Sequence, residues 1–163
     1  MKKTVMRDTT LVDVLVVGRG LPQDEIDQIE ALSGRFDLQD LAMTIMNATG
    51  PKWTCVVKET GEPIVVAGFI QVGVNIWRSY MLANERAWKE FGVEVTVHSR
   101  NAVKEMVRGQ QHIRLETVCL ASRKKAQEWY PKIGLTYEST LPGYGVKGET
   151  AVMYTKTQGA EEN

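Results

Sequence analysis

A mixed α/β fold, with one twisted sheet and helices on both of its faces, is the architecture this sequence predicts. Three observations carry that reading. Apolar β-branched runs of strand length alternate with stretches whose apolar residues recur at helical spacing. Glycine or proline closes most of those stretches, and no segment repeats. Residues 111–138 are the clearest case, reading as a buried strand, an amphipathic helix, a glycine stop and the start of another strand.

The elements follow in order. Residues 11–17, LVDVLVV, form a β-branched run ended by Gly18 and Gly20 and are expected to be the first strand. Pro22 opens a helix, with Asp24 and Glu25 at its positive end, and Ile26, Ile29 and Leu32 repeat at helical spacing before Gly34. Asp37 caps a second helix over 38–47, whose stripe is Leu38, Leu41, Ala42, Ile45 and Met46. Residues 53–58 and 63–70 make a hairpin about Gly61, and 74–82 a third strand of the same meander. Two helical turns fit NERAWKEF before Gly92. Beyond it, a helix beginning near Glu94 or Val95 and ending at Gly109 competes with a short strand at 93–98. Residues 112–120 are a strand, and Ser122 is the expected cap of a helix over 123–133 whose inner face carries Ala126, Trp129, Tyr130 and Ile133. Gly134 stops that helix, and strands at 135–139 and 150–157 complete a single domain before the tail 158–163.

Composition narrows the function. Twenty basic and twenty acidic residues cancel, which counts against a dedicated nucleic-acid binder. No apolar run has the length of a membrane span, and the amino terminus lacks the form of a signal peptide. Cys55 and Cys119 each lie in an apolar strand and read as buried thiols, with synthesis in a cytoplasm as the expectation. His98 and His112 have no partners at ligand spacing, so no metal is expected, and Ser99 and Ser122 lack the His and acid of a covalent serine mechanism.

The element order, β-α-α-β-β-β-α-β-α-β-β, resembles the GCN5-related N-acetyltransferase fold over residues 11–157. The most specific piece is AQEWYPKIGLTYE, similar to the family's A-x-x-(F/Y)-Y-x-K-x-G-F, with Ala126, Trp129, Tyr130, Lys132, Gly134 and Leu135 in those places. Within the superfamily, segments 77–80, 130–137 and 150–155 resemble small acetyltransferase-like proteins of short-tailed bacteriophages, some of them internal virion proteins. That likeness implies a phage protein working in the host cytoplasm or packaged in the particle, with a phage or host protein as partner.

In active members, backbone N–H groups at the start of the central helix hold the acetyl-CoA pyrophosphate, with the pattern (R/Q)-x-x-G-x-(G/A). Here only Gly92 of that pattern is present, with Val93 and Val95 as the accompanying cofactor-binding candidates, and Glu90 and Glu94 bring charge of the wrong sign. The missing glycines make a non-enzymatic virion-associated or assembly scaffold, needing no cofactor, the leading expectation. The rival is an acetyl-CoA-dependent N-acetyltransferase acting on a protein or small amine, and a third reading is direct inhibition of a host enzyme. For the enzyme, the resemblance gives Tyr130 as the acid at the departing sulfur and Glu116 as the residue that orients the amine. Arg123, Lys124 and Lys125 read as a solvated face, and Trp88, between Arg86 and Lys89, as a possible partner anchor. The two enzyme-or-scaffold readings differ in one place: an enzyme needs strands 74–82 and 112–120 to splay, and a scaffold fills that slot with side chains such as Trp77, Tyr80 or Trp88.

Overall fold

The computed structural model describes residues 1–162. Seven strands make one sheet in the order β1-β2-β3-β4-β5-β7-β6: β1 (Thr4–Asp8), β2 (Lys52–Val57), β3 (Pro63–Gly73), β4 (Ile76–Ala83), β5 (Ile113–Leu120), β6 (Thr136–Leu141) and β7 (Ala151–Gln158). Every neighbouring pair is antiparallel except β4 and β5, which run parallel because a long helix crosses between them. The expected mixed sheet with helices on both faces is therefore the observed architecture.

Three helices precede or interrupt the first half of the sheet: α1 (Leu11–Arg19), α2 (Gln23–Ser33) and α3 (Leu38–Asn47). The crossover is α4 (Glu85–Val107), and α5 (Lys124–Trp129) continues as a 3-10 turn over Tyr130–Ile133. One face of the sheet packs Ala87, Phe91 and Val95 of α4 against Cys55, Val57, Ile64 and Val65, and continues into Leu115, Cys119, Ile133, Leu135 and Val152 below α5. On the other face, Val14, Val17, Ala42 and Ile45 of α1 and α3 bury against Val66 and Leu82. Both cysteines are buried free thiols, as expected.

The first expected strand is a helix. The β-branched run 11–17 loses to a capping box: Asp13 N–H donates to Thr10 Oγ1, and Thr10 N–H donates to Asp13 Oδ2. Once the helix starts, Val14 and Val17 fall one turn apart on the buried side, so packing overrides strand propensity. The sheet's first strand lies earlier, at β1, where only Val5 and Met6 are apolar and the sequence gives little pattern to read.

The ambiguity over residues 93–98 resolves as helix. Asn84 Oδ1 accepts from Ala87 N–H at 2.9 Å and starts α4 directly after β4, with Phe91 marking a kink at φ −128° and ψ 17°. The two helical pieces expected on either side of Gly92 are one crossover bent at that point. At α5, Arg123 rather than Ser122 occupies the cap and makes no side-chain cap bond. Gly134 ends the turn at φ 96°, the left-handed stop that the sequence predicts.

Candidate active site

The one parallel junction is also where the sheet opens. β4 and β5 pair only through Ile76–Arg114, Trp77–Leu115 and Arg78–Glu116, and then diverge. Backbone alternation fixes what faces the gap. Asn84 N–H donates to Ile64 O on β3, so the N–H groups of Ser79, Met81 and Ala83 point toward β5. Arg114 N–H reaches Asn75 O at 2.8 Å, which turns Val118 and Leu120 toward β4. The V between these arms opens into a cavity of about 790 Å³.

That cavity passes through the sheet. On the α4–α5 face its walls include Trp88, Val103, Trp129 and Tyr130, and on the other face Gln28, Ile29, Leu41 and Tyr80. Trp88 stands edge-on to Trp129 with ring centroids 5.2 Å apart, and Trp129 Nε1 donates to Thr96 Oγ1 at 2.9 Å. Trp77 belongs to the core below the junction rather than to the gap. Tyr80 lies across Gly68, where a Cβ would come within 2.5 Å of both the Tyr80 hydroxyl and the Pro51 carbonyl. A glycine is needed there to seat the ring.

Tyr130 sits on the wall nearest Cys119 and Thr117. Burial pushes its hydroxyl well above the usual tyrosine range, Cys119 pushes it further, and it stays protonated at any working pH. The Cys119 thiol is also pushed up by burial, so it is no thiolate nucleophile.

Glu116, at the base of the V, is 5% exposed and held on both sides. Its Oε1 accepts from Arg78 Nη2 at 2.5 Å and Nε at 3.1 Å, and its Oε2 accepts from Arg114 Nε at 3.0 Å. Arg114 in turn makes two 2.7 Å bonds to Glu138, which holds the Glu138 carboxyl below the usual range. Both Glu116 oxygens are thus committed to guanidinium groups, which fixes the residue as part of a charge lattice rather than as a free base.

The other candidates lie apart from this cavity. Gly92 is in the body of α4 beyond the kink, Val93 is 81% exposed, and Val95 is packed in the core at 2% exposure. The helix start that a cofactor phosphate requires is at Asn84, eight residues earlier in the chain than Gly92. Nor are the three basic residues at α5 one solvated face. The Arg123 side chain is only 19% exposed, and it lines the cavity with Nη2 at 3.3 Å from Asp24 Oδ2. Glu25 and Gln28 also line the cavity, and pattern reading passes over them because each sits in an ordinary amphipathic helix. The signal available was the placement of Glu25 on the apolar side of α2, in line with Ile29 and Leu32. Among the described residues no cluster of His, Cys, Asp and Glu is placed to hold a metal ion, and no helix is long and apolar enough to cross a membrane.

Comparison with solved structures decides the architecture. An acetyltransferase of the GNAT family from Bacillus anthracis superposes with a TM-score of 0.71 at 12% identity, covering 95% of each chain. The fold is that of the GCN5-related N-acetyltransferases. The acetyltransferase of ribosomal protein S5 alanine from Vibrio fischeri matches at TM-score 0.69 and 10% identity, over 100% of this chain and 97% of its own. A GNAT-superfamily phosphinothricin acetyltransferase from Sinorhizobium meliloti, solved with acetyl-CoA, matches at TM-score 0.67 and 11% identity, over 97% and 90%. No family model and no curated protein sequence matches the chain.

These GNAT-fold matches correct the leading expectation from sequence. The scaffold reading rested on missing glycines, whereas the full-length structural matches are acetyltransferases and the slot between β4 and β5 is a cavity rather than packed side chains. The resemblance to phage virion proteins finds no counterpart among them.

Proposed function

We propose that the protein is an acetyl-CoA-dependent N-acetyltransferase acting on a primary amine of a protein or small molecule. The observation that carries this reading is the cavity through the sheet at the β4–β5 divergence, with strand backbone on both arms and Tyr130 on its wall. Such a passage lets an acyl donor enter from one face and an amine from the other, and lets them meet between the strands.

The residues present fit the donor. Inward-facing N–H groups of Ser79 and Met81 offer a strand edge for amide groups of an extended chain, and the buried Arg123 Nε has no hydrogen-bond partner among the described residues. Acetyl-CoA would supply a thioester, whose carbonyl carbon would exchange its bond to sulfur for a bond to the amine nitrogen, the sulfur keeping the bonding pair. Tyr130, kept protonated by its burial, donates its hydroxyl proton to that sulfur and regains one from solvent. Arg78, held by Glu116 at the base of the V, keeps the divergence of the two strands at a fixed point and so positions the reaction rather than moving a proton. The Glu116 lattice leaves no free carboxylate there, so the amine would enter neutral and the proton its nitrogen gives up on bonding to carbon would pass to water. A phage origin rests on the three segment resemblances alone, and would put the enzyme in a host cytoplasm.

Calorimetric titration with acetyl-CoA tests the reading. Saturable micromolar binding, followed by thiol release in the presence of an amine panel, is the expected result. No heat at millimolar acetyl-CoA would overturn it.

A further inference from the structure

The half of the cavity that opens toward α1, α2 and α3 has a chemistry of its own. Strand alternation puts Arg78, Tyr80 and Leu82 of β4 on this face, since Tyr80 and Leu82 pack with Val14 and Ile45. Glu116 of β5 shares it, because its neighbour Leu115 and Cys119 belong to the core on the opposite face. The walls are Ile29 and Leu32 of α2, Leu41 and Ile45 of α3, Ile70 and Tyr80. The polar side chains among them are already committed. Thr44 Oγ1 donates to Asp40 O at 2.9 Å, and Gln28 Oε1 accepts from Leu120 N–H at 3.0 Å. Asp24 and Glu25 lie at the wide end, against Arg123 and Ala83 N–H.

At the narrow end, one charged residue lines this half among the described residues, and it is Arg78. Its Nε and Nη2 both donate to a single oxygen, Glu116 Oε1, at 3.1 and 2.5 Å. Its Nη1 makes no hydrogen bond among the described residues. Arg114 differs: it gives Nε to Glu116 and both Nη groups to Glu138, and it does not line the cavity. The Arg78 guanidinium therefore has two edges in different use. A buried carboxylate holds one and fixes the plane, and the other stands at the root of an apolar chamber.

We propose that the acceptor is a free α-amino acid with an apolar side chain, its carboxylate bound by Arg78 Nη1 and its side chain laid against the walls of this half. The inference rests on the acetyltransferase reading above for the reaction, and on Arg78 and the apolar walls for the acceptor. Spacing favours the α-amine. Tyr130 stands beside Thr117 and Cys119, and Thr117 is one strand residue, about 3.3 Å, beyond Glu116. In an α-amino acid the nitrogen and the carboxylate carbon are about 2.5 Å apart, so a carboxylate at the guanidinium leaves the amine at the level of Tyr130. A polycationic amine meets no free carboxylate here and faces the Arg78 charge. A protein amino terminus fits no better. Its chain would continue from the carboxyl carbon into the Arg78–Glu116 pair and the closed β4–β5 ladder below it. The loop between β6 and β7 also crosses this half, with Val146 N–H donating to Ala31 O at 2.8 Å and Tyr144 on the cavity wall.

The full-length protein is assayed with saturating acetyl-CoA and matched acceptors: L-leucine and L-phenylalanine, the amide of each, the decarboxylated amine of each, and L-glutamine. Expected is a kcat/KM for the two acids about a hundredfold above their amides and bare amines, and about tenfold above L-glutamine. Arg78→Lys keeps a positive charge against Glu116 but has no second edge, so the preference for a carboxylate falls to about threefold or less. A strand-anchoring role alone would lower every acceptor alike and leave that preference intact. Calorimetry of the two amino acids without any acyl donor gives the second readout, with binding by wild type and none by Arg78→Lys. Equal turnover of acids, amides and bare amines by wild type overturns the carboxylate site while leaving the acetyltransferase reading in place. A preference that survives in Arg78→Lys overturns the role of Arg78, and L-glutamine equal to L-leucine overturns the apolar class. Donor-free binding that is lost in Arg78→Lys, with no acceptor acetylated, supports the site and sinks the acetyltransferase reading. Neither binding nor turnover of the amino acids overturns the proposal.

Discussion

Replacing Glu25 by glutamine has a stability consequence that can be worked out before any ligand is added. Glu25 is 8% exposed, and burial raises its carboxyl from 4.5 to about 7, against the pull of Ala83 N–H and Arg123 and with the push of Asp24. A raised acid binds its proton more tightly when folded, so folding stability falls as pH climbs from the unfolded value to the folded one. Between 4.5 and about 7 the loss reaches about 3 kcal/mol, an upper figure because Glu25 lines a cavity rather than solid core. Glutamine keeps an acceptor for Ala83 N–H and carries no charge to desolvate. Glu25→Gln should therefore match wild type near pH 4 and exceed it by about 1–3 kcal/mol near pH 8. Urea unfolding followed by tryptophan fluorescence across that range measures the difference. A variant equal to or less stable than wild type at pH 8, or a gap that does not widen through the window, would refute the reasoning.

Other substitutions test other parts of the argument. Tyr130→Phe removes the hydroxyl at the wall beside Cys119, and steady-state kinetics should give a kcat lower by about a hundredfold with KM little changed. Thr10→Ala breaks the capping box that turns a β-branched run into α1, at about 1 kcal/mol in denaturant unfolding. Gly68→Ala brings a methyl group within 2.5 Å of the Tyr80 hydroxyl and Pro51 carbonyl, and should lower stability by about 1–3 kcal/mol and narrow the cavity.

Much of this fold is legible in the sequence because its signals are local. Asp37 caps α3 over the span that the apolar stripe Leu38, Leu41, Ala42 and Ile45 marks out, and Gly134 stops the turn after Tyr130. The failures have a common cause. The run 11–17 is strand-like by composition, and only the Thr10–Asp13 exchange with burial of Val14 and Val17 makes it helical. β1 has too few apolar residues to announce itself, and holds its place through Lys3 and Thr4 backbone bonds to Glu94, 90 residues away or more. The site was harder still. Tyr130 was reachable from the motif around it, but Glu25, Gln28 and Arg123 come from α2 and the approach to α5 and meet only when the sheet splays. The pattern around Gly92 points to a backbone loop at that glycine, whereas α4 starts at Asn84 and Gly92 lies inside the helix.

The short parallel junction has a mechanical meaning as well. Residues 4–83 contain β1 to β4 and residues 113–158 contain β5 to β7, each set complete in its own antiparallel hydrogen bonding, and just three residue pairs stitch one to the other. The sheet is in effect two half-sheets on a seam, with α4 as the covalent tether. A backbone cut near Gly109, in the turn between α4 and β5, severs no strand pairing at all. Two separately expressed pieces, one ending near residue 108 and the other beginning near 110, should find each other and rebuild the seam, and a fluorescent reporter split across them would light only when the cleft had been assembled.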